Sequence, residues 1–151
     1  MTTFAHRVLV GVDASVGSRE AVDTAIELCR ATGAELHLVH VKLTSAVLRG
    51  RPPGGPEGQR TTMREEGEGL LRRSREYAER QYPVTGTHLR FGQRVDRVLS
   101  HAQDELEAPV LVIGASHAGA TGRTLGRTVT GTVRRAPGSV LVARHTGAPL
   151  V

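Results

Sequence analysis

Aromatic side chains are almost missing: the 151 residues contain two Phe, two Tyr and no Trp. Stacking bases on an aromatic platform, as single-strand nucleic-acid binders do, is therefore not expected. The core must be built from Val, Leu, Ala and Ile. A single cysteine, Cys29, excludes an internal disulfide and a multi-cysteine metal cage. Its place in an apolar helical pattern marks it as core. Lysine is just as scarce, with Lys42 alone beside nineteen Arg. That imbalance reads first as a compositional habit, although a net charge of +5 favours anionic ligands in general. No run approaches the roughly 18 apolar residues of a membrane span, and MTTFAHRVLVGVD reaches Asp13 without a signal-peptide core. A soluble, cytoplasmic protein is expected. Histidines 6, 37, 40, 88, 101 and 145 show no metal-ligand spacing and are assigned structural or surface roles.

What the chain does have is valine in short runs. Arg7–Asp13 and Glu35–Val41 read as strands buried on both faces of a parallel sheet. Between them Ser18–Thr32 carries apolar residues at helical spacing, with Ser18 as N-cap, Glu20 in the first turn and Gly33 as the stop. This is a βαβ unit with a right-handed crossover. Residues 42–60, rich in proline and glycine, read as a flexible basic loop, followed by a charged surface helix over 61–81 that Gly67 and Gly69 weaken. Then come a less apolar strand over 83–91, placed near a sheet edge, a helix over 94–106, a strand over 109–114, a short helix over 128–135 and a last strand over 139–144. The 151 residues suit one domain. The expected fold is α/β: a doubly wound, open, five-stranded parallel sheet with helices on both faces, Rossmann-like in layout.

Such sheets bind ligands beyond the carboxyl ends of their strands, where strand order reverses. Gly11–Asp13, His40–Val41 and the loop after the fourth strand should converge there. That loop, GASHAGATGRTLGRTVTG over 114–131, holds five glycines. Glycines let backbone N–H groups close on a phosphate, and a following helix N-terminus adds partial positive charge. The loop is not a Walker loop, since Ala120-Thr121 stands where Lys-Ser/Thr is required. Nor does the first strand end in GxGxxG. Asp13 reads equally as an acceptor for ribose or adenine groups and as a cap on the turn into the next helix.

These stretches, VLVGVDASVGSREAVDTAIELCRATGAELHLVHV with the later VLVIGASHAGATGRTLG and VRRAPGSVLVAR, resemble the universal stress protein family nearly end to end. The family pattern is a strand ending Val-Asp-Gly-Ser, a loop of Gly, two residues, Gly, nine residues, Gly and Ser or Thr, and a close of Ala-Pro-Cys-Pro-Val-Leu-Val. Here the matching positions are Val12-Asp13-Ala14-Ser15, an altered loop, and Ala136-Pro137-Gly138-Ser139 before Val140. The resemblance implies an ATP-binding or related adenine-nucleotide-binding regulatory module, with Mg2+ accompanying ATP. It gives adenosine to Asp13, its neighbours Val12 and Ala14, and the backbone of Val41. Phosphates fall to Gly114, Ser116, His117 and Gly119, then to Gly126, Arg127 and Thr128.

The loop departs from the family. Counted back from Ala136, its positions fall on Gly114, His117 and Gly126-Arg127, with eight residues between His117 and Gly126. A rival register uses Gly119, Gly122 and Gly131-Thr132. Arg127 reads either as an obstruction or as a guanidinium bonded to phosphate, and His117 either packs on the loop or touches phosphate. The alternative function is a member that has lost nucleotide binding and acts through protein contacts. The resemblance also implies a homodimer through residues 139–144. No catalytic set is placed at the sheet edge, so slow ATP hydrolysis is the most an enzymatic reading supports. Nucleic acid is not an expected partner.

Overall fold

In the computed structural model, which describes residues 4–44, 55–115 and 126–144, nine elements alternate. They are β1 (Arg7–Gly11), α1 (Val16–Thr32), β2 (Glu35–Leu43), α2 (Gly55–Glu79), β3 (Val84–Gly92), α3 (Val95–Glu105), β4 (Val110–Gly114), α4 (Arg127–Arg135) and β5 (Ser139–Ala143). Every strand pair is parallel, and the order across the sheet is β3-β2-β1-β4-β5. The doubly wound sheet is as expected, with the less apolar β3 at one edge.

The strands are apolar throughout because both faces are covered. Val8, Val10, Leu36, Leu38 and Val112 point to one side and pack with Ala21, Ala25, Ile26 and Cys29 of α1 and with Leu71 and Ala78 of α2. Leu9, Val39, Leu111 and Ile113 point the other way, onto Leu99 and Ala102 of α3 and Val129 of α4. Leu9 and Leu111 are fully buried. Burying such a side chain contributes roughly 1.5–3 kcal/mol. Cys29 lies in the first cluster, and burial pushes its thiol up to about 11, so it remains protonated.

β1 ends at Gly11, two residues short of Asp13, and two larger differences from expectation follow it. The N-cap of α1 is Ser15, whose hydroxyl accepts from Ser18 N at 3.2 Å, so the helix begins earlier and Glu20 lies beyond its first turn. Ser18 instead turns inward and accepts from Asp13 N at 2.9 Å. Gly33 stops α1 in the left-handed region, at φ 73°. The second difference is the long connection: β2 runs on to Leu43 and α2 starts at Gly55, so both ends of the expected 42–60 loop are regular structure, while residues 45–54 lie outside the described residues. A proline in the first turn of a helix removes no helical hydrogen bond, and Pro56 therefore does not delay α2. Gly67 does not break α2 either. A Cβ there would stand 2.6 Å from Leu89 Cδ1, so the bare glycine leaves room for the Leu89 side chain where the helix lies on β3.

Candidate functional site

The strand order reverses between β1 and β4, and there the chain leaves a cavity of about 310 Å³ at the carboxyl edge of the sheet. The ends of three neighbouring strands form its floor: Gly11–Asp13, Val39–Val41 and Ile113–Ala115. Ser15, Gly17 and Ser18 of the α1 turn, Val95 and Leu99 of α3, and Thr128 and Val129 of α4 form its walls. Its mixed wall, apolar with a few polar groups, is the usual make-up of a small-molecule site.

The turn after β1 is closed by its own hydrogen bonds. Asp13 Oδ1 accepts from Ser15 N at 2.7 Å, which makes Asp13 a turn-former as well as a cavity residue. Its Oδ2 has no partner among the described residues, and the side chain is exposed. Val12, buried, donates its amide to Val39 O at 2.8 Å and so ties the turn to β2. Ala14 is exposed on the far side of the turn, where it lines a second hollow of about 270 Å³ with Arg19, Arg73 and Tyr77.

His40, expected with Val41 where the strand ends converge but given only a structural or surface role, lines the cavity beside Val41. Its Nδ1 lies 2.7 Å from Val12 O, so Nδ1 carries the hydrogen and Nε2 is left as an acceptor. Burial lowers its pKa, outweighing the Val12 bond, so the ring is held neutral near pH 7. Only its position next to Val41, at the end of a buried strand, pointed to it in the sequence.

At the other side, Gly114 ends β4 against the first turn of α1, and a Cβ there would run into the Gly17 carbonyl. No other residue fits this approach. Ala115 N donates to Ala143 O at 2.9 Å and carries the β4–β5 ladder one step further. The chain enters α4 through Gly126, an N-cap with no side-chain bond to the helix amides. Arg127 is exposed as the first residue of α4, and Thr128 reaches the cavity. Ser116, His117 and Gly119 lie outside the described residues. Gly131 and Thr132, the close of the rival register, are inside α4 instead: Thr132 is buried, with its hydroxyl donating to Thr128 O at 2.6 Å, and Gly131 abuts Asp96 of α3.

Asp96 locks α4 to α3. Its carboxylate accepts from Arg94 NH2 at 2.8 Å and from Arg135 Nε at 3.2 Å. Burial would raise its pKa, but the Arg94 hydrogen bond and charge, the Arg97 amide and Arg135 outweigh that and hold it below the usual carboxylate range. Among the described residues no group of three or more His, Cys, Asp or Glu is arranged to hold a metal ion.

Comparison with known proteins bears on this geometry. The universal stress protein family matches residues 5–144. A universal stress protein solved in complex with cAMP is 23% identical, with a TM-score of 0.65 over 95% of this chain and 99% of that one. Universal stress protein UspA from Lactobacillus plantarum is 21% identical, with a TM-score of 0.69 over 93% and 98% of the two chains. The universal stress protein from Archaeoglobus fulgidus in complex with dAMP is 19% identical, with a TM-score of 0.62 over 91% and 96%. No curated protein matches the chain.

Proposed function

The chain belongs to the universal stress protein family, and on that premise we propose that it is a regulatory domain that binds ATP, or a related adenine nucleotide, at the carboxyl edge of its sheet. One observation carries this reading: the ends of β1, β2 and β4 and the start of α4 converge on one cavity. Asp13 Oδ2, without a partner among the described residues, is an acceptor for ribose hydroxyls or the adenine amine. The backbone at Val41 and the neutral His40 ring offer further polar edges along the base. The amides at the start of α4, to which Gly126 offers no side chain, and Arg127 beside them give phosphates a partner through hydrogen bonds and helix dipole. Two solved relatives, with cAMP and with dAMP, support the choice of adenine. Mg2+ enters on the phosphates and their waters in this reading, not in a protein cage.

The same reading makes the domain a sensor without turnover, set in the cytoplasm, where the free thiol of Cys29 stays reduced. It also pairs two copies through β5. Among the described residues that strand has a neighbour only on the β4 side, and Leu141 on it is 39% exposed. An open apolar edge calls for a partner strand.

Calorimetry on nucleotide-free protein tests the binding. Saturable heat with millimolar ATP and Mg2+ is expected. A chain that acts through protein contacts alone returns no heat while remaining dimeric by light scattering, and that result removes the nucleotide reading.

A further inference from the structure

On the open edge of the sheet, apart from the nucleotide cavity, two imidazoles converge. His37 of β2 is buried and shares a sheet face with Val39, and His88 of β3 is half-buried beside it. His37 Nδ1 lies 3.0 Å from His88 Nε2, with ring centroids 5.3 Å apart and planes 19° from parallel. In the ladder His37 is opposite Gly86, while His88 is opposite Val39. The rings therefore meet diagonally, over the space that Gly86 leaves open. A Cβ on Gly86 would stand 3.0 Å from His37 Nδ1 and 3.2 Å from His88 Nε2. Both nitrogens border one small gap that exists because residue 86 has no side chain.

The outer side of His37 is fixed. Its Nε2 lies 3.2 Å from Glu35 Oε2, which also accepts from Arg7 Nε at 2.9 Å. Arg7 is itself anchored to Leu106 O at 2.6 Å. The hydrogen bonds from His37 and Arg7 hold Glu35 below the usual carboxylate range. A carboxylate has no hydrogen to give, so His37 carries its own on Nε2 and presents a bare lone pair at Nδ1. The same carboxylate–imidazole pairing orients histidines bound to zinc. At rest, His88 Nε2–H donates to that lone pair. Moving this hydrogen to His88 Nδ1 through solvent frees a second lone pair on the gap, with no net proton released.

We propose that His37 and His88 form a binding site for a divalent transition-metal ion of the Zn2+ type, with Glu35 orienting His37 from behind and water completing the shell. With metal–nitrogen distances of about 2.0–2.1 Å, tetrahedral geometry separates two ligating nitrogens by about 3.4 Å. The observed 3.0 Å therefore has to open by about 0.4 Å, and the two rings, which face each other nearly end to end, have to swing so that both lone pairs turn into the gap. The charges facing the pair balance: Arg7 is matched by Glu35, and Arg90 of β3 by Glu105 of α3 at 3.4 Å. A bound ion ties the edge strand β3 to β2. Imidazole ligands favour Zn2+, Ni2+ and Cu2+ over Mg2+ and Ca2+, which separates this site from any Mg2+ carried by a nucleotide. The proposal does not depend on nucleotide binding.

The test is calorimetric titration of Zn2+ into nucleotide-free full-length protein at pH 7.5, with Co2+ absorption reporting coordination. One equivalent of Zn2+ is expected. Affinity should fall at least tenfold in His37→Gln and in His88→Gln, about tenfold in Glu35→Gln, and not at all in His101→Gln, whose ring is exposed on α3. Gly86→Ala keeps both histidines but fills the gap, and should also lose the site. Thermal melts without zinc confirm that each variant is folded. The proposal is overturned if the wild type takes up no Zn2+ at millimolar concentration, or if the His37→Gln/His88→Gln double variant or Gly86→Ala binds as the wild type does.

Discussion

The turn from β1 into α1 and the entry into α4 stand on opposite sides of one cavity and are built in opposite ways. In the first, Asp13, Ser15 and Ser18 close the backbone with three hydrogen bonds of 2.7, 3.2 and 2.9 Å. Among the described residues it leaves a single carboxylate oxygen, Asp13 Oδ2, without a partner. In the second, the N-cap is a glycine, which offers the helix amides no side chain, and an arginine follows at once. A closed turn selects a neutral, hydroxylated group by geometry, whereas open amides gain most from an anion. In the proposed reading the two sides divide a nucleotide between them, nucleoside on the first and phosphate on the second.

The severest way to break this division is at the hinge between its two halves. Gly114→Val forces a side chain into the Gly17 backbone. It is expected to lower stability by about 3 kcal/mol, read by chemical denaturation, and to abolish binding of adenosine and ATP together. Removing the acceptor of the closed side is a milder change. Asp13→Ala should weaken adenosine and ATP by the same factor, about tenfold, the worth of one charged hydrogen bond. Unequal losses in calorimetry would mean that Asp13 also meets the phosphates.

The closed side has a pH limit as well. Burial lowers the pKa of His40, so the folded state favours its neutral form more than the unfolded chain does. Stability is full above the unfolded value of about 6.5 and declines as pH falls towards the folded pKa, by at most about 1.4 kcal/mol per pH unit. His88 shifts the same way, through burial and then the neighbouring His37. Denaturation curves at pH 7.5, 6.5 and 5.5 should show a shallower decline in His40→Asn; an unchanged decline would remove His40 from this account.

The smallest effect on stability comes from closing the open side. Gly126→Ser gives α4 the cap it lacks and should add a few tenths of a kcal/mol. It should weaken ATP several-fold while leaving adenosine unchanged, because the new hydroxyl competes with phosphate for the same amides. Arg127→Ala should show the same selectivity for ATP; equal effects on both ligands would take Arg127 out of the phosphate site.

Much of this was legible in the sequence because parallel strands buried on both faces read as unbroken valine and leucine, and Val8, Leu9 and Val10 are all fully buried. The meeting of Asp13, Val41 and Gly114 at the carboxyl edge followed from that layout. What could not be read depends on distant partners. Gly67 looked like a helix breaker until Leu89 was seen against it, and Ser18 looked like a cap until Asp13 took its hydroxyl. The pairing of His37 with His88 needs the β2–β3 register, which shifts between Leu36 and His37. No spacing within either strand encodes that shift.

The division of labour is tested most directly by amide NMR of the labelled protein titrated first with adenosine and then with ATP and Mg2+. Adenosine should move Gly11–Ser18 and Val39–Val41 and leave the start of α4 in place, while ATP should move Gly126–Val129 in addition. Identical shift patterns for the two ligands, or no shift around the cavity with either, would contradict the account.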